Sequence, residues 1–512
     1  MIESTLRPNA ADSIAGRFCA GAEQPRRYGR CAGILARIPV LSPIVWLTSE
    51  RITQQALSLL LFAVLAPILG PRPYGLFAIV MIFVGFCELI LLEGAVEALV
   101  TLKNLDHLHT TVANLTNCLV ALVFGLTVSA LAPVIAVALH DVEIRNLIWA
   151  LAPLPVLSTL SAVPISVLRR SLKYKQLAIR SILGLTIGGA FGIVLAMEGA
   201  GVWALVGQVM AQRVAELVIA WIAVPVRFGV AWSGPHFHEL RPVALNVFTA
   251  RMMSLVTGQF PRLVLGFTLG ATDVGLFALG GRFHEIIVQT MVVPGTAVGR
   301  IELRAATIGS AEFQHGFVRM VRNACFLSFP FFLGTAALAP CLFHLWLNQQ
   351  WQAGIVPAQL VVLSGVPMVL FYSFDAALLA GNLSSIFRKF ANLQGLTVAV
   401  TVLCAAPFGL TATCLALAVR PWVLLPVFVI MFRSATNIPG RSALLPCVHS
   451  LIGAVIMAGV LSFPLVHPSW MNSALGFALQ VIMGIVIYFA YLYCFARAEF
   501  RLLLSAVLIR AR

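Results

Sequence analysis

Arg262 and Arg282 stand inside long apolar stretches, eight and seven residues from the turn at 270–275 that joins those stretches. A guanidinium is costly at membrane depth and is kept there when it faces a polar interior. At 1.5 Å rise per residue both lie roughly 10–12 Å below the turn. Reaching the headgroups from that depth is strained. The short turn makes their helices antiparallel neighbours, so the pair offers a cationic site for an anion. Phosphate suits such a site because a planar guanidinium can donate two parallel N–H bonds to it. Glu285 follows Arg282 at the i,i+3 spacing, so a structural Arg282–Glu285 pair is the alternative.

Other charged residues invite similar questions. Arg51 and Arg251 are 200 residues apart, and each precedes the Leu-Gly that ends its stretch by 18 residues. That is roughly 27 Å of helix, which puts both near the opposite mouth. There they could capture a pyrophosphate or snorkel to the headgroups. Glu88 lies about 20 Å below the other face and could pair with a cavity arginine or take a proton. Asp375 and Arg420 are isolated; either could be a coupling-ion or substrate group, or each could satisfy the other. Glu285 is a further coupling candidate. Arg213 and Glu216 have the spacing of a structural pair. His107, His109, His236 and His238 fall in loops and read as solvated. No Cys-x-x-Cys pair or His/Cys metal spacing occurs, and no G-x-x-x-x-G-K-[ST]. No metal, cofactor or ATPase is therefore expected.

The elements that must hold these residues are membrane helices. The chain is 60% hydrophobic and 10% charged, with mean hydropathy +0.96. Its apolar stretches are long enough to cross a bilayer and number about fourteen: 44–69, 75–100, 111–139, 146–168, 177–197, 201–226, 242–269, 275–299, 317–339, 355–380, 391–409, 411–432, 449–466 and 473–496. The fold class is an all-α polytopic membrane protein.

The net charge of +15 has a topological explanation. With the N-terminus inside and alternating spans, 26 of the 34 Lys and Arg fall on the cytoplasmic side, Arg72 and Arg145 on the other, and six within spans. This asymmetry fixes both termini as cytoplasmic. Basic patches with interleaved aromatics on a soluble domain are absent, so nucleic acid is not an expected partner. The first forty residues are polar and Arg-rich, without the apolar core of a secretory signal. They read as a cytoplasmic tail, with a later start codon as the alternative.

The chain repeats itself. Residues 64–78, VLAPILGPRPYGLFA, and 264–278, VLGFTLGATDVGLFA, are identical at eight of fifteen positions. Internal duplication of helical bundles is how many secondary transporters are built. The expected organisation is a basic tail (1–43), an N-terminal lobe (44–226), a cytoplasmic linker (227–241), a C-terminal lobe (242–432), two additional spans (449–496) and a cytoplasmic tail (497–512). Six spans per lobe is even, so the two repeats are parallel.

LGPRPYGLFA, VLRRSLKYKQLAIRS (167–181) and EGAGVWALVGQ (198–208) resemble segments of the Wzx-type oligosaccharide flippases, especially the exopolysaccharide/colanic-acid exporter branch. That group belongs to the multidrug/oligosaccharidyl-lipid/polysaccharide superfamily. The resemblance covers about residues 45–435. It implies alternating access in a bacterial inner membrane, moving a polyprenyl-pyrophosphate-linked oligosaccharide for exopolysaccharide or lipopolysaccharide biosynthesis. Flipping makes or breaks no covalent bond, so no enzyme is expected. Membrane lipids are implied partners, and a polysaccharide polymerase and co-polymerase are candidates. A cation-coupled drug or metabolite antiporter and a lipid II-type flippase are alternatives in the same superfamily. A membrane glycosyltransferase is disfavoured because no large external loop offers a sugar site. Reporter fusions test the topology: residues 170–176 and the C-terminus are expected in the cytoplasm, and 340–354 in the periplasm. A periplasmic C-terminus refutes the span count.

Overall fold

The computed structural model describes residues 41–88, 97, 99–100, 106–224, 232–462 and 473–495, without the side chains of 242–257 and a few others. Among the described residues the chain is helical throughout. An apolar backbone without water must satisfy its own N–H and C=O groups, and the α-helix does this within one segment.

Among the described residues, twelve helical segments are long and apolar enough to cross a membrane. Two others occupy positions where the sequence suggests spans. One is α2 (Pro71–Glu88), whose described apolar stretch is short. The other is α9 (Gly234–Thr268), 35 residues long and interrupted by charged side chains. In chain order the first half has α1 (Leu41–Leu69), α2, α3 (His107–Ala138), α4 (Glu143–Leu151), α5 (Leu154–Leu160), α6 (Ala162–Arg170), α7 (Tyr174–Met197) and α8 (Val202–Ala223). After α9 come α10 (Ala271–Ile287), α11 (Val293–Arg304), α12 (Ala311–Trp346), α13 (Ile355–Leu363), α14 (Gly365–Ala380), α15 (Ser384–Ala405) and α16 (Leu410–Thr436). Then follow α17 (Gly440–Ser462) and α18 (Ala474–Phe495). A π-turn at Val288–Val292 joins α10 to α11.

The corners repeat as the sequence does. Gly70 and Gly270 end α1 and α9 with φ of +77° and +92°, a conformation that glycine adopts without a Cβ penalty. Leu172 and Asn382, after α6 and α14, both take φ near +55°. Each is followed by a residue whose N–H returns to the carbonyl five positions earlier, Lys173 to Leu168 and Leu383 to Leu378, both at 2.9 Å. The segments 143–170 and 349–380 are each broken into shorter helices. Both are 67% buried over their most apolar window, above every other candidate span. They are the central posts against which the outer helices pack.

Among the described glycines, the tightest contact with a neighbouring backbone joins α2 to α10. A Cβ built on Gly75 would lie 1.6 Å from the Ala271 carbonyl oxygen, and one on Gly275 would lie 1.9 Å from that of Pro71. The contact is reciprocal, as across a two-fold axis. Both helices run the same way from it, because Met81 on α2 and Arg282 on α10 open onto one cavity.

The segment after α12 is strapped across the end of α1. Pro67 has no N–H, which leaves the Ala63 carbonyl without its helical donor. The Trp346 indole donates to that oxygen at 2.7 Å. Trp351, fully buried, donates to Ala66 O at 3.0 Å, and Asn348 Nδ2 to Pro67 O at 2.9 Å.

Gly75→Ala and Gly275→Ala should each lower the thermal stability of the detergent-solubilised protein by about 1–3 kcal/mol, the usual cost of overpacking. Gly85→Ala on the same helix, where an added Cβ meets nothing within 4 Å, should be neutral or stabilising. Equal melting temperatures for Gly75→Ala and Gly85→Ala contradict the contact.

Candidate functional site

Beneath the Gly75–Gly275 crossing lies a cavity of about 360 Å³, walled by α1, α2, α8, α9 and α10. Tyr74, Phe62 and Trp351 close its outer end, with the Tyr74 ring 5.4 Å from Phe62 and 5.9 Å from Trp351 in edge-to-face contacts. Ser58, Gln208, Gln259, Arg262, Arg282 and Glu285 supply its polar lining.

Arg262 and Arg282 thus face one space. Arg262 Nη1 donates to Gln259 Oε1 at 3.0 Å, and its Nε has no partner. Gly281 lies beside this guanidinium, with an added Cβ at ordinary contact distance, 3.8 Å, from Arg262 Nη2. Arg282 donates to Ser58 Oγ on α1, not to Glu285. The i,i+3 pair does not form because Ser58 gives Arg282 a partner across the cavity. Among the described residues neither arginine has an ion-pair partner within 4.0 Å. Each has five N–H donors and most remain available. Two cations and the Glu285 carboxylate leave the cavity with net positive charge.

The other candidates stand elsewhere. Arg51 is exposed on α1 and does not line the cavity; the Arg251 side chain lies outside the described residues. Glu88 pairs with no cavity arginine. It accepts from Ser158 Oγ and from Arg213 Nη2 at 3.1 Å. Arg213 also holds Glu216 at 3.2 Å, as its i,i+3 spacing suggests, and Glu216 takes Arg180 at 3.3 Å. Ser181 beside this group donates to Glu50 at 2.6 Å. The result is a polar network tying α1, α2, α7 and α8 together within the first half. Gly184 permits it: a Cβ there would lie 2.4 Å from the Glu216 side chain. The participation of Arg180 and Glu50 has no local sequence signal, because their partners are on other helices.

Arg420 and Asp375 do not satisfy each other. Arg420 is buried against α15, donating to Gln394 O at 3.0 Å and Thr397 Oγ1 at 3.1 Å. Asp375 is half-buried on α14 and has no hydrogen bond or ion pair among the described residues. His109 is not solvated as its loop position suggests. It is 4% exposed, because Phe237 and Leu240 in the first two turns of α9 pack on Val112 and Ala113 of α3 beside it.

The two sets of arginines should respond differently to truncation. Arg213→Ala strands Glu88 and weakens the hold on Glu216, a loss of up to about 3–5 kcal/mol for a buried pair. Its membrane abundance should fall, and Glu88→Gln in the same chain should recover part of it. Arg262→Ala should leave abundance unchanged. Immunoblots of membrane fractions decide, and normal abundance of Arg213→Ala contradicts a structural network.

Comparison with known proteins fits this architecture. Residues 64–356 match the polysaccharide biosynthesis protein family. The succinoglycan biosynthesis transport protein ExoT of Rhizobium meliloti (strain 1021) is 28% identical over 293 residues, 55% of each chain. The chain therefore matches about half the length of that curated relative. Among solved structures, the lipid II flippase MurJ in an inward closed conformation superposes with a TM-score of 0.70 at 13% identity, covering 90% of this chain and 99% of that one. An inward-facing MATE multidrug transporter of the MOP superfamily gives 0.57 at 15% identity, covering 75% and 94%. These likenesses are of fold. With more than half its length in the matched region, the chain is a multi-pass membrane protein that belongs to the polysaccharide biosynthesis protein family.

Proposed function

We propose that the protein is a flippase, moving polyprenyl-pyrophosphate-linked oligosaccharide from the cytoplasmic to the periplasmic leaflet of a bacterial inner membrane. The observation that carries this is the pair Arg262 and Arg282, two guanidinium groups without ion-pair partners among the described residues, facing one cavity. A pyrophosphate supplies the missing anion, and bidentate donation fixes its orientation. Ser58, Gln208 and Gln259 offer sugar hydroxyls donors and acceptors. The family and the succinoglycan transport relative support an oligosaccharide cargo.

The proposed working parts are two lobes, 44–226 and 242–432, rocking about the α2–α10 contact, with both termini in the cytoplasm. The strap of Trp346, Asn348 and Trp351 then lies on the periplasmic side and closes the cavity there. The last two helices add a place for the lipid. Between α12, α17 and α18 runs an apolar groove of about 430 Å³, lined by Phe326, Phe331, Met457 and Phe477 among others. A polyprenyl tail fits its chemistry. Arg51 and Arg251 act at the entrance in this scheme. Asp375 and Glu285 are the proposed coupling carboxylates, while Glu88 and Arg420, bonded to neighbours, hold the lobes in shape. A polymerase and co-polymerase would receive the product.

The test is polysaccharide export, normalised to membrane protein level, in a strain lacking the native gene. A charge-assisted hydrogen bond contributes about 1.5–3 kcal/mol, which is about tenfold or more in affinity. Arg262→Ala and Arg282→Ala should each lose export on that scale at normal abundance. Lysine should restore less than its charge suggests, since an ammonium lacks the planar fork. The swap Arg282→Glu with Glu285→Arg should not restore export. Near-normal export from both alanine variants refutes the site.

A further inference from the structure

We propose that Asp106, His109 and His236 form a binding site for a divalent transition-metal ion of the zinc class. One ligand atom from each lies within 4.8 Å of the others, although His109 and His236 are far apart in sequence. The imidazole rings stand with centroids 4.3 Å apart at 71°. With metal bonds of about 2.0–2.1 Å, tetrahedral ligand atoms stand about 3.3 Å from one another. Side-chain rotation closes the remaining gap. Two imidazoles and a carboxylate suit zinc, with water as the fourth ligand.

The second observation is what lies behind the rings. A metal-ligating histidine almost always engages its other nitrogen with a carboxylate, carbonyl or hydroxyl, which fixes tautomer and ring orientation. Both rings have such a partner. His109 Nε2 is 3.0 Å from Glu239 Oε2, and His236 Nδ1 is 2.6 Å from Ser233 Oγ. These bonds leave His109 Nδ1 and His236 Nε2 for the ion. His109 Nδ1 meets only the Asp106 N–H, at a long 3.3 Å. The histidines sit over the packed cluster of Val112, Val163 and Leu240 with Phe237, so the site is assembled without metal. Asp106 caps α3 and His236 lies in the first turn of α9, so a bound ion fastens the segment linking the two halves to the first half. Such an ion restrains movement of the halves.

The experiment uses the full-length chain without a polyhistidine tag, purified in detergent and freed of metal by a chelator. Equilibrium dialysis against zinc, read by elemental analysis, should give one tight site per chain. Cobalt substitution should give the absorption of a tetrahedral centre. His109→Ala and His236→Ala should each weaken binding at least about tenfold, and Glu239→Gln, acting through His109, about tenfold. His140→Ala should change nothing. Zinc should raise the melting temperature of the wild type and not of His236→Ala. Melting of the metal-free variants controls for folding, and His236→Gln replaces any variant that fails to fold. Absence of a stoichiometric zinc in the wild type overturns the proposal. So does zinc binding unchanged in the His109→Ala, His236→Ala double variant.

Discussion

The contact of Gly75 with Gly275 is the constraint on which the architecture rests. Two helices approach until the backbone of each meets the place where the other's side chain would be. Only residues without a Cβ permit this. Apolar association gains little in lipid, so close backbone packing carries much of the energy that joins membrane helices. The reciprocity of the contact sets an axis between the halves. The cavity opens directly beside the contact, since Gly275 itself lines it.

Away from the axis the halves hold together by different means. In the first, Glu88, Arg213, Glu216 and Arg180 join three helices through ion pairs, and the Ser181–Glu50 hydrogen bond adds α1, with glycines on α7 giving α8 close access. In the second, aromatic rings do the equivalent work. Phe317, Phe374 and Phe432 stack with centroids 4.8 Å apart at the closest, and Phe371 and Phe390 meet Phe428 at 4.5 and 4.4 Å. The two halves thus share corner conformations and differ in what holds their helices together. A polar network tolerates water nearby, whereas stacked phenylalanines exclude it, so the halves differ in how readily each hydrates.

Much of this was legible in the sequence because membrane insertion writes itself into composition. Apolar runs mark helices, and the 200-residue offset pairs Gly75 with Gly275 as equivalents, though not as a contact. Depth along a helix is arithmetic, which is why Arg262 and Arg282 could be placed at the level of the cavity. Partner choice was less legible. The spacing of Arg282 and Glu285 permits a pair, but Ser58 on a distant helix takes the guanidinium. Arg213 and Glu216 have the same spacing and do pair, and nothing local separates the two cases. Arg180 looks like one of several loop cations until α7 packs on α8. His109 looks solvated until the start of α9 packs beside it. In each case the deciding atom is distant in sequence and the distances involved are small, so periodicity cannot report it.

The proline in α1 has a consequence for how this end of the molecule can part. Pro67 removes a donor from the Ala63 carbonyl, and the Trp346 indole replaces it. Drawing the strap away from α1 leaves that oxygen bare, at about 1–3 kcal/mol if nothing else reaches it. Water is the available substitute. The helix is also weakest where the donor is missing, so α1 bends at the place where the strap lets go. Unsealing, wetting and bending at this end of the molecule are therefore one event, triggered at a single carbonyl.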